Sequence, residues 1–68
     1  MEYLVILEKS ETGFGAYLPD LPGCVAVGET REQTLSLIRE AVGFHIESLK
    51  ENGDPVPSPS AVAEKVSV

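Results

Sequence analysis

Tyr3, Leu4, Val5, Ile6 and Leu7 form an unbroken apolar run of five residues. It is too short for a buried helix and rich in aromatic and β-branched types, so Glu2 to Lys9 reads as a strand. Alternation sends Tyr3, Val5 and Leu7 to one side and Leu4 and Ile6 to the other, and both sets are apolar. A strand of that kind belongs in a sheet covered on both faces. The small polar residues from Ser10 to Gly13 predict a turn, and Phe14 to Leu18 a second strand closing a hairpin. Pro19 and Pro22 fix their own φ, and Gly23 allows positive φ, so residues 19–23 cannot continue a ladder and the chain reverses there. Cys24 to Gly28, short and partly β-branched, returns as a third antiparallel strand.

From Arg31 to about Asn52 the apolar period becomes helical, with Leu35, Ile38, Val42, His45, Ile46 and Leu49 three or four positions apart. Thr30 and Gln33 have the spacing of a capping box at its start. Gly53 and Pro55 end it, giving a helix roughly 30 Å long. That stripe packs on the sheet. At about 100° per residue, Leu37, Ala41 and Phe44 fall on the side away from it, with Leu37 and Phe44 in line.

Beyond the helix, Pro55, Pro57 and Pro59 on alternate positions predict a stiff, extended connection. Ala61 to Val68 alternates Val62, Glu64, Val66 and Val68 with Ala61, Ala63, Lys65 and Ser67, which suits a last strand, with a frayed helix over its Ala-Glu-Lys portion as the alternative. The fold class is therefore α+β, in the order β-β-β-α-β. A right-handed crossover places strand four parallel to strand one, in a mixed sheet of order 3-2-1-4 with one long helix on one face. One helix covers only one face, so a second copy of the chain is expected on the other.

Size and composition sharpen this picture. A chain of 68 residues holds one domain, residues 1–68, and buries only roughly 60% of the surface its unfolded form exposes. Neither a metal-spaced Cys/His cluster nor a second cysteine is present to staple it, which leaves self-association as the expected support. The lone Cys24 and the absence of a basic, then apolar, leader point to a soluble cytoplasmic protein with no membrane partner. Eleven acidic against five basic residues give a net charge of -6, which repels phosphate backbones and favours a basic protein partner. Lys9, Arg31, Arg39, Lys50 and Lys65 are scattered among acids and form no nucleic-acid-binding patch.

Catalytic chemistry finds little to use. His45 lies on the core stripe and reads as a hydrogen-bonded packing histidine; Cys24 lies in a covered strand with no base beside it. The serines lack the strained elbow of a nucleophile, and the glycines form no phosphate loop. Glu2, Glu8, Asp20 and Glu29 are the one conceivable carboxylate set for a two-metal site, and they read instead as solvated strand ends. No catalytic residue, metal or cofactor is expected.

The first strand from Glu2 to Glu8, Gly15 to Leu18, the block Pro19-Asp20-Leu21-Pro22-Gly23-Cys24 and Gly28-Glu29-Thr30 resemble the HicB antitoxin family. Arg31 to Leu35, Ile38 to Ala41, and Gly53 with Pro55, Pro57 and Pro59 extend the resemblance over about residues 2–60. It implies a partial ribonuclease H-like fold and a non-enzymatic module that binds and neutralises a small basic RNA-cleaving toxin of the HicA type. Many members of that family carry a C-terminal DNA-binding segment. Val62 to Val68 cannot make a DNA-reading helix, so direct nucleic-acid binding is not expected of this chain. Two alternatives stand beside this reading: a metal-dependent ribonuclease H-like enzyme using Glu2, Glu8 and Asp20, and an orphaned homo-oligomeric scaffold. The expected partner or oligomer interface comprises Leu37, Ala41, Phe44 and Asp20, together with the uncovered face of strand one.

Overall fold

The computed structural model describes residues 1–68. It has three strands, β1 (Ile6–Lys9), β2 (Phe14–Tyr17) and β3 (Val25–Gly28), followed by one helix, α1 (Arg31–Glu51). The sheet is wholly antiparallel, in the order β1-β2-β3. The helix lies over β3 and β2.

The expected strand from Glu2 to Lys9 pairs only from Ile6 onward, and the register supplies the reason. Ile6 faces Tyr17, so Leu4 would face Pro19, which has no N–H for the ladder. Residues 3–5 therefore overhang the sheet. The hairpin between β1 and β2 closes through Ser10, whose backbone N–H donates to the Gly13 carbonyl at 2.8 Å.

The cross-strand row Leu7–Ala16–Ala26 faces the helix. The next rows, Ile6–Tyr17–Val25 and Glu8–Gly15–Val27, point the other way. Five residues form the fully buried apolar core: Ala16, Leu18, Leu21, Cys24 and Ile38. Three of these come from residues 18–24, the expected reversal at 19–23 with the strand end on either side of it. Two successive turns, with Leu21 N–H donating to Leu18 O and Cys24 N–H to Leu21 O at 3.2 and 3.1 Å, fold it so that Leu18, Leu21 and Cys24 point inward. Gly23 has φ +86°, in the left-handed region where glycine escapes the Cβ clash.

The helix starts and stops as its sequence directs. Thr30 Oγ1 accepts from Gln33 N–H at 3.0 Å, while the Gln33 side-chain oxygen accepts from Glu29 N–H at 2.6 Å. The box thus closes one residue earlier than its usual return to the capping residue. At the other end Gly53, at φ +72°, donates to Lys50 O, and Asp54 N–H to Leu49 O. These two bonds make a Schellman cap. Near the start, Thr34 is fully buried, and its hydroxyl donates to Thr30 O at 2.7 Å. Gly28 of β3 lies directly beneath it.

The fourth strand does not form, and neither does the alternative helix: residues 54–68 carry no regular structure. The mixed order 3-2-1-4 is thereby corrected to three antiparallel strands, and the parallel pairing expected of a ribonuclease H-like sheet is absent. The segment's path is set by side chains and not by a ladder. Tyr3 hydroxyl donates to Pro57 O at 2.5 Å. Asp20 accepts from Ser60 N–H and Ala61 N–H at 3.0 and 3.1 Å, and from the Ser60 hydroxyl at 2.8 Å. With Pro55, Pro57 and Pro59 lacking N–H donors, three side-chain-held points offer the segment more than a sheet edge does. Beyond Ala61 every residue is exposed.

Two predictions follow from these contacts. A methyl group on Gly28 would stand 2.6 Å from Thr34 Oγ1 and 3.0 Å from Thr34 N, whereas one on Gly15 would meet nothing within 4 Å. Urea unfolding is expected to show Gly28→Ala destabilised by about 1–3 kcal/mol and Gly15→Ala changed by about 0.5 kcal/mol or less. For Asp20, the N–H of Ala61, then that of Ser60, then the Ser60 hydroxyl hold the carboxyl below its ordinary value. A depressed folded-state pKa stabilises the fold above the unfolded value, and the effect is lost as pH falls through the folded one. The thermal midpoint of Asp20→Ala is therefore expected to lie below that of the natural chain at pH 7, and the gap to close under acid beneath the ordinary carboxylate range.

Candidate partner-binding surfaces

The candidate catalytic groups are built into the fold as packing. Cys24 is 3% exposed, and burial pushes its thiol pKa up, which suppresses the reactive thiolate. His45 is half-buried on the inner side of α1. The side-chain hydrogen bonds are made by Met1, Tyr3, Ser10, Asp20, Thr30, Gln33, Thr34 and Ser60; His45 joins none, in contrast to the hydrogen-bonded role its position suggested. Half exposure leaves its ring to water. Glu2 and Glu8 are exposed at separate points, Asp20 is engaged by residues 60–61, and no three His, Cys, Asp or Glu side chains gather around a possible metal position. The carboxylates of the metal-enzyme alternative are not brought together.

The interface residues separate. Leu37 is 39% exposed and Phe44 70% exposed on the outer side of α1. Ala41, expected beside them, is half-buried and packs against the core. It stands three positions from Ile38, about 60° round the helix from that fully buried side chain, and so lies at the margin of the inner stripe. Asp20 is on the proline turn, its carboxylate taken up within the chain.

The open face of the sheet extends well beyond strand one. Ile6, Tyr17, Val25 and Val27 share it, and the two valines are 64% and 77% exposed. The signal was present in the sequence: β3 alternates Val25 and Val27 with Ala26 and Gly28, large outward and small toward the helix. Because α1 covers the opposite face, this surface and the Leu37–Phe44 side of the helix look in opposite directions.

Two hollows mark the helix side. One, of about 380 Å³, separates the overhang at Tyr3 and Val5 from Leu35, Arg39 and Val42 of α1, with Leu18 at its floor. Its lining is mainly apolar, with Glu2 and Arg39 as its charged members. The other, of about 350 Å³, is a shallow depression formed by Glu40, Gly43, Phe44 and Glu47. No helix is long and apolar enough to cross a membrane. The geometry offers surfaces for binding, and no assembled set of reacting groups.

Comparison with known proteins identifies the family. Residues 3–67 match a family described as the HicB-like antitoxin of bacterial toxin–antitoxin systems. A UPF0150 protein of Thermoplasma acidophilum is 40% identical over 62 residues, covering 90% of each chain. A second UPF0150 protein, from Synechocystis, is 37% identical over 97% of this chain and 85% of its own. Antitoxin HicB 2 of Photorhabdus laumondii is 33% identical over 94% of this chain, which spans only 46% of that antitoxin. Among solved structures, a chain of a HicA3 and HicB3 toxin–antitoxin complex superposes with a TM-score of 0.74 at 37% identity, covering 88% of this chain and 70% of that one. A family match along nearly the whole chain, on a fold shared with a toxin–antitoxin component, establishes that this chain belongs to the HicB-like antitoxin family.

Proposed function

We propose that this chain is an antitoxin module that binds and neutralises a small, basic, RNA-cleaving toxin of the HicA type without catalysing a reaction itself. The observation that carries the reading is the likeness, at 37% identity, to a chain of a HicA3–HicB3 complex. Physical features of the domain support it. The net charge of -6 attracts a basic protein and speeds its approach. An inert thiol, dispersed carboxylates and an unpartnered histidine leave inhibition to surface contact. Residues 1–68 act as one domain, in the cytoplasm, where a lone cysteine needs no disulfide partner. With the same charge, the chain makes no direct contact with nucleic acid.

The open sheet face serves self-association with a second copy. Its apolar residues Ile6, Tyr17, Val25 and Val27 adjoin across all three strands and have no cover within the chain. Three strands about 4.8 Å apart and four residues long present roughly 200 Å², against about 800 Å² per partner in a standard stable interface. Contact through this face alone is therefore weak, and a stable dimer recruits the exposed segment after Ala61 as well.

Two measurements check these readings. Co-expression with a HicA-type toxin is expected to restore growth, and the association rate measured by stopped flow to fall about tenfold as salt rises from low to high ionic strength. Failure to bind or to protect removes the antitoxin reading. In sedimentation velocity, the mass of the natural chain is expected to rise with concentration, and that of Val27→Lys to stay at the monomer value with unchanged helix content. Equal masses for the two at every concentration would remove the sheet-face dimer.

A further inference from the structure

Two parts of the molecule are left with unpaired backbone: residues 62–68 and the outer side of β1. No backbone group of residues 62–68 is hydrogen-bonded within the chain, and Val62, Val66 and Val68 are exposed. β1 pairs only with β2, so the N–H and C=O groups on its other side have no strand to bond. The segment alternates Val62, Glu64, Val66 and Val68 with Ala63, Lys65 and Ser67, which is the period of a strand. An unpaired sheet edge and an unpaired strand-patterned segment are complementary in backbone chemistry.

Charge selects one register for the pair. Run antiparallel to β1, the segment sets Lys65 opposite Glu8 and Glu64 opposite Lys9 when Val66 stands opposite Leu7 and Ser67 opposite Ile6. A slip of one residue opposes Glu64 to Glu8 in one direction and Lys65 to Lys9 in the other, and no parallel register opposes both pairs. The matched register also puts Val66 in the row Leu7–Ala16–Ala26, on the helix side of the sheet. One step further Val68 meets Val5, a wall of the hollow of about 380 Å³. The other free edge offers no such match: β3 is Val25-Ala26-Val27-Gly28, with no charge to oppose either residue.

The chain's own segment cannot occupy this edge in that register. Asp20 holds Ser60 and Ala61 next to Pro19, which stands level with Leu4, five residues or about 17 Å along the strand from Lys9. From Ala61 to Glu64 the chain advances three residues, at most about 11 Å. The strand for this edge therefore comes from a second copy. We propose that residues 64–67 of each protomer add as an antiparallel strand to β1 of the other, closing a two-fold dimer. An axis at right angles to the strands brings one copy's proline turn toward the other's turn at residues 10–13, the end from which such a strand enters. The exchange supplies what the open sheet face lacks, since that face presents roughly 200 Å² against about 800 Å² per partner in a standard interface. Each ladder adds backbone bonds, both charge pairs and the Val66–Leu7 contact. The exchange rests on the self-association reading and is independent of the antitoxin one.

The experiment exchanges charges between copies. Lys9 and Glu64 meet on the helix side of the ladder, away from the open sheet face, and both are exposed in the single chain, so Lys9→Glu and Glu64→Lys leave the fold and the sheet face intact. In sedimentation velocity each variant alone is expected to associate about tenfold more weakly than the natural chain, because the two-fold repeats the like-charge contact at both edges. An equimolar mixture of the two, with a fluorescent label on one, is expected to recover the natural affinity: the altered edge then meets the altered segment, and the natural edge the natural segment. Lys9→Glu mixed with Glu51→Lys, the same change of charge placed off the contact, is expected to stay about threefold weaker, since one like-charge edge remains. Unchanged association of Lys9→Glu and Glu64→Lys, with Val27→Lys still monomeric, overturns the exchanged strand and leaves the sheet-face dimer standing. Weakening of both without recovery in their mixture overturns the pairing between copies. A natural chain that stays monomeric at every concentration removes self-association, and the strand exchange with it.

Discussion

Leu21 has no exposed surface, and the domain closes around it. It reaches the core from a loop, held by turns on either side, and meets a core whose one fully buried apolar residue from the helix is Ile38. In so small a domain the sheet contributes only Ala16 to the fully buried set, since each strand pairs over four residues. The proline turn compensates by folding inward with Leu18, Leu21 and Cys24. Turn geometry and hydrophobic burial therefore act on the same seven residues: Gly23 and the two prolines shape the loop, and the loop supplies most of the core.

This arrangement dictates where function can reside. The two-layer domain is 16 Å across in its shortest dimension, and its fully buried apolar core is five residues. Its one thiol is packed under the helix, and its carboxylates are spread over strand ends and the helix exterior. What remains are two outward faces of different chemistry. The sheet face is apolar and β-branched, whereas the outer helix face sets the exposed Phe44 beside Glu40 and Glu47. Because they look in opposite directions, occupation of one leaves the other accessible.

Asp20 illustrates how one polar residue can change its meaning between sequence and structure. On the proline turn it was expected among the residues of a partner or oligomer interface. In the fold its two oxygens accept three bonds from Ser60 and Ala61, forty residues away. The partner it satisfies is its own chain. With Tyr3 it draws the segment after the helix across the N-terminal overhang, and that path keeps the valines at 62, 66 and 68 off the β1 edge, where the fourth strand was expected.

The sequence by itself determined the local events: three strands, the reversal at residues 19–23, the helix with both of its caps, the outward placement of Leu37 and Phe44, and the family. These depend on short-range chemistry, on alternation, on φ limits at proline and glycine, and on hydrogen bonds within a few residues. Tertiary structure decided the rest: that Pro19 opposite Leu4 would cut the first strand short, that the turn fills the core, that Ala41 faces inward, and that residues 61–68 remain unpaired. Each of these turns on which distant groups meet, and no local pattern encodes that.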